Sequence, residues 1–110
     1  MNQEDMLNNV AMQQQQLQGI MTQREATGMQ ILEIKKALEE LEKTDQKEVY
    51  KVAGPILVKT EKTEVKKDLK EKEDVLNVRL KSLEKEEKRV KIKIDDIKEQ
   101  LTAAMKKKQG

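Results

Sequence analysis

An apolar stripe with a seven-residue period, broken once and then resumed, constrains this chain more than any other feature. Met6, Val10, Gln13, Leu17, Ile20, Arg24, Thr27, Ile31, Ile34, Leu38 and Leu41 step alternately by four and three. The same stepping restarts at Leu69 and continues through Glu73, Leu76, Leu80, Leu83, Glu87, Val90, Ile94, Ile97, Leu101 and Ala104. This spacing lines one narrow face of an α-helix, the a/d seam of a coiled coil. The chain thus holds two seams joined by a short connection, and the simplest partner for each helix is the other, folded back antiparallel. The expected fold is all-α dominated, a long antiparallel coiled-coil hairpin. Helix 1 covers about 4–43, a β-hairpin about 48–60 and helix 2 about 61–107, in a single unit over 1–110.

Composition agrees with a narrow seam rather than a globular core. Of 110 residues 40% are charged, and Tyr50 is the one aromatic residue, so little apolar area is available to bury. The formal net charge of +2 creates no field strong enough to gather nucleic acid or an anionic membrane. Histidine and cysteine are absent and Ser82 is the single serine, so the usual nucleophile and base pairs cannot be assembled. Asp95 with Asp96, or Glu86 with Glu87, could suggest a metal or acid/base pair. Neighbours on a helix point about 100° apart, however, so these carboxylates solvate the surface instead of converging. No glycine-rich phosphate loop is present, and neither an enzyme activity nor a cofactor is expected. The opening Met-Asn-Gln-Glu-Asp has no basic and apolar run of the signal-peptide kind. With no apolar stretch of spanning length, a cytoplasmic location is expected.

The seam varies along its length. Gln13 to Gln16, Gly19, Gly28 and the seam residues Arg24 and Thr27 make the first half of helix 1 a weaker helix than the stretch from Ile31 to Leu41. Between the helices the alphabet changes to Val49, Tyr50, Val52, Ile56, Leu57 and Val58, residues that favour strands. Gly54 and Pro55 separate the two strands as a turn. An isolated hairpin with aliphatic side chains on both faces and two open edges is marginal in water, so it is expected to pair with strands of other chains. Thr60 is the expected N-cap of helix 2. Two antiparallel registers one heptad apart fit the connection, and the one aligning Ile20 with Ile94 and Leu17 with Ile97 matches apolar layers best. In either, Arg24 and Glu87 fall within about one turn of each other and form a polar seam pair, which disfavours wrong alignments more than it stabilises the right one.

The order helix, hairpin, helix, with Val49-Tyr50-Lys51-Val52-Ala53-Gly54-Pro55-Ile56-Leu57-Val58 between the helices, resembles the β-type subunit of prefoldin. Lys36-Ala37-Leu38-Glu39-Glu40-Leu41 before the hairpin, and Leu69-Lys70-Glu71-Lys72 with Leu80 to Arg89 after it, resemble the same family, as does the single hairpin. The resemblance implies a hexamer of two α-type and four β-type subunits, with hairpins joined into intersubunit β-barrels. It further implies an ATP-independent holdase that captures non-native polypeptides at coiled-coil tips and delivers them to a group II chaperonin. Both chain ends then meet at a tip bearing Met6, Leu7, Val10, Met12, Leu17, Met21, Ile97, Leu101 and Met105. Methionine is flexible and polarizable, which suits contact with unrelated apolar segments. Val10, Leu17, Ile97 and Leu101 are better explained as seam closure, whereas Leu7, Met12 and Met105, off the stripe or past its end, are the better candidates for client contact. The competing reading is a structural coiled-coil spacer or filament protein with the β segment as its joint.

Overall fold

The computed structural model describes residues 2–109, as two long helices around a two-stranded antiparallel sheet. Helix α1 spans Gln3–Lys43 and helix α2 spans Lys62–Gln109. Strands β1, Glu48–Ala53, and β2, Ile56–Glu61, lie between them. Asn2 begins α1: its side-chain oxygen accepts the Asp5 amide at 2.7 Å, which satisfies one of the donors that a helix start leaves unpaired. Glu4 and Asp5 follow in the first turn, where the helix dipole favours negative charge.

The chain divides into two compact units. The terminal unit joins the stretch up to Glu25 with the stretch from Lys81 onward. In it Val10 and Ile20 of α1 pack with Leu83, Val90 and Ile94 of α2, and Leu17 and Ile97 close against this cluster. All seven are stripe positions, so burial here follows the heptad.

The hairpin unit runs from Ala26 to Leu80. Its core joins Ile31 and Ile34 to Leu76, flanked by Leu38, Leu69 and Leu80. At the end of α1 the carbonyl of Thr44 accepts the Lys62 ammonium at 2.9 Å, a cation placed at the negative end of the helix. The strands pair in register from Glu48 with Glu61 to Ala53 with Ile56. Gly54 has φ +58°, and with Pro55 held at negative φ this is the sequence of signs of a type II′ turn, whose twist suits a two-residue hairpin. Thr60 does not serve as the N-cap. It belongs to β2, and the ladder runs directly into α2, the Lys62 amide donating to the Lys47 carbonyl at 2.8 Å. The hydrogen bond that a cap would supply is given by the neighbouring strand's entry, while the Thr60 hydroxyl instead lies 3.5 Å from the Glu64 carboxylate.

Candidate functional site

The tip residues named from the sequence separate into two groups in the terminal unit. Met6 and Val10 are buried, at 7% and 9% exposure, and therefore offer no surface in this conformation. Leu17 and Ile97 pack against the core, and Met21 and Leu101 are half-buried. Leu7, Met12 and Met105 are more than half exposed, Met12 at 68%. The division has a simple origin: the buried members occupy a and d positions, whereas these three stand outside the stripe. Ile92 is an exposed apolar residue that the sequence reading passed over. It lies two residues from Val90 and Ile94, and an isoleucine on the outward face of an otherwise strict heptad was the signal available.

The polar seam pair also lies in the terminal unit. Arg24 Nε is 3.1 Å from Glu87 Oε2, and Lys91 Nζ is 3.3 Å from Glu87 Oε1. Glu87 is buried, whereas the Arg24 side chain keeps 37% of its surface exposed. The Nε–H bond is not aimed at the carboxylate, so Nε has charge contact without a hydrogen bond. Attraction between the ions opposes the cost of desolvating Glu87, and part of the guanidinium remains in water.

In the hairpin unit the strand side chains are largely uncovered. Tyr50, Val52, Ile56, Leu57 and Val58 are exposed, Val52 at 72%, and Val49 is half-buried. The register places Tyr50, Val52 and Leu57 on one face, with Val49, Ala53, Ile56 and Val58 on the other. Lys59 and Glu48, 2.8 Å apart, cross the strands on the Tyr50 face. Where the strands leave the helices, Glu42 pairs with Lys66. The hydrogen bond and charge of Lys66 hold the Glu42 carboxyl below its ordinary value of 4.5. An open groove of ≈ 660 Å³ lies beside β1, lined by residues of both helices including Ala37, Leu41, Val65 and Leu69. The sequence reading did not foresee this groove, because it arises from how the strand leaves the helix pair.

Among the described residues no helix is long and apolar enough to cross a membrane, and no group of three or more acidic, histidine or cysteine side chains could hold a metal.

A family model described as "Prefoldin subunit" matches residues 4–108. The prefoldin subunit beta of Thermococcus onnurineus is 38% identical over 106 residues, 96% of this chain and 91% of that protein. That of Pyrococcus furiosus is 39% identical over 102 residues, covering 92% and 87%. The crystal structure of the prefoldin beta subunit from Thermococcus strain KS-1 superposes with a TM-score of 0.86 at 37% identity, over 93% of this chain and 90% of that one. With both long helices and the intervening hairpin inside these matches, the chain belongs to the prefoldin family, as a subunit of the β type.

Proposed function

We propose that this chain is a subunit of an ATP-independent molecular chaperone, holding non-native polypeptides against the terminal unit and passing them to a group II chaperonin. In this reading four copies assemble with two α-type subunits through the hairpins, in the cytoplasm. The observation that carries it is the exposure of Leu7, Met12 and Met105 in the unit that contains both chain ends. Full burial of such a side chain is worth about 1.5–3 kcal/mol, so each contact is weak and reversible. Several copies acting on one client multiply that modest affinity without any single tight site. Such a surface needs no nucleotide, because release follows from the weakness of each contact.

The test is a triple substitution of Leu7, Met12 and Met105 by Ser. It removes exposed apolar area and leaves the packed cluster and the hairpin intact. The expected result is a complex of unchanged mass, in the presence of an α-type subunit, that no longer suppresses aggregation of a denatured test protein. Undiminished suppression at equal complex concentration would place the client surface elsewhere.

A further inference from the structure

The terminal unit distributes its sulfur unevenly. Its packed seam cluster contains none, and the seam methionine, Met6, is buried at 7% exposure. Met12 and Met105, by contrast, are 68% and 51% exposed, and Met21 is half-buried. Cysteine, histidine and tryptophan are absent from the chain, and Tyr50 belongs to the hairpin unit. The exposed thioethers are therefore the most readily oxidised groups of the terminal unit. The surroundings of Met12 also suit an oxidised sulfur. Helix α1 carries no charged side chain from Met6 to Gln23. Three and four positions away from Met12 stand Asn8, Asn9, Gln15 and Gln16, its neighbours on the helix surface. Their amide N–H groups can donate to a sulfoxide oxygen, whereas a thioether accepts only weakly.

We infer that Met12 and Met105 form a reversible oxidation site, at which a hydroperoxide switches off the holding surface without disturbing the coil. The inference rests on the proposed holding role of the terminal unit and adds its regulation. A sulfur lone pair attacks one oxygen of hydrogen peroxide and the O–O bond breaks. The proton of the transferred oxygen passes to the departing hydroxide, which leaves as water. Sulfur loses two electrons and the peroxide gains them. The product is polar and chiral, so apolar area that a client would cover becomes hydrated. The burial of Met6 and the absence of sulfur from the cluster close the seam to the same attack. A sulfoxide reductase supplied with a dithiol reverses the change, the oxygen leaving as water while the dithiol becomes a disulfide. Met29, 59% exposed in the hairpin unit, is open to the oxidant too but lies outside the holding surface.

In the test the full-length chain is treated with hydrogen peroxide, desalted and then assembled with an untreated α-type subunit, so that neither the partner nor the denatured test protein meets the oxidant. Peptide mass spectrometry should find one added oxygen on each of Met12, Met29 and Met105 while Met6 is still unmodified. Far-UV helicity and the mass of the complex in light scattering should be unchanged, yet several times more complex should be needed for the same suppression of aggregation. Reductases for both sulfoxide epimers, with dithiothreitol, should reverse the loss. The double variant Met12→Leu with Met105→Leu, judged against its own untreated form, should lose nothing on treatment, while Met29→Leu should respond as the wild type does. Oxidation of Met6 as fast as Met12, full conversion of Met12 and Met105 with undiminished suppression, an equal loss in the double Leu variant, a loss that reduction does not reverse, or a complex that falls apart on treatment would each overturn the inference. If replacing Leu7, Met12 and Met105 by Ser also leaves suppression unchanged, the holding surface itself is refuted. If that variant fails to hold while the fully oxidised chain still holds, the oxidation switch alone is refuted.

Discussion

Glu87 is the residue with most at stake in the seam, because its buried carboxylate is neutralised by Arg24 from the facing helix and by Lys91 one turn along its own. Arg24→Leu removes the cross-helix cation and leaves the carboxylate with Lys91 alone. We expect a loss of about 1–3 kcal/mol, the cost of leaving a buried charged group poorly paired. Glu87→Leu should cost less, since the partly exposed guanidinium can turn to water. Replacing both by Leu should recover or raise the melting temperature, with the two effects clearly non-additive. Additive effects in that double-mutant cycle, read by thermal unfolding, would argue against a pair that acts as a unit. A second residue-scale expectation concerns Glu42, whose carboxyl is held below 4.5 by the hydrogen bond and charge of Lys66. A group depressed in the folded state stabilises it above the ordinary pKa, and that contribution is lost as pH falls through the depressed value. Glu42 is exposed, so the contribution is small and screened by salt. Titration followed by NMR should find its midpoint below 4.5 and find it raised in Lys66→Met.

The hairpin shows what the sequence could reveal about an element and what it could not. The strand-forming residues and the Gly54-Pro55 turn were legible, because β-propensity and positive φ are local properties. The placement of Thr60 was misread, since a threonine before a helix suits a cap, and only tertiary pairing with the other strand turns it into a ladder residue. The Asn2 cap went unnoticed because the apolar stripe begins only at Met6 and leaves the exact helix start undefined. The groove beside β1 was illegible because its walls come from three elements. One substitution pair tests the element as a whole. Val52 and Leu57 face each other across the ladder, so Val52→Asp with Leu57→Asp sets like charges in direct opposition and on a face that assembly would bury. Far-UV helicity should stay largely intact while size-exclusion chromatography shows loss of the assembled complex. Elution as the full complex would exclude the hairpin as the joining element.

Among the described residues the molecule has two small seam clusters and a sheet whose Tyr50, Val52 and Leu57 are each about two-thirds exposed or more. The heptad made the clusters readable residue by residue, and the same strictness marked Leu7, Met12 and Met105 as surplus to the seam. What the stripe could not convey is which stripe residues remain partly open, as Leu17 and Leu101 do, because that depends on how closely the helices approach at each level. A chain of this kind has a narrow core, and in the proposed assembly it gains further stability by covering the hairpin. Unfolding should therefore be coupled to dissociation, so that the folded state is favoured by mass action. A tenfold rise in concentration can contribute on the order of 1 kcal/mol, which for a chain near 100 residues moves the melting temperature by several degrees. Melting curves of the wild-type chain across a hundredfold concentration range should shift upward accordingly, and those of the Val52→Asp and Leu57→Asp double variant should superimpose. If the wild-type curves also superimpose, the exposed hairpin contributes nothing to stability through assembly, and the two seam clusters alone must hold the fold.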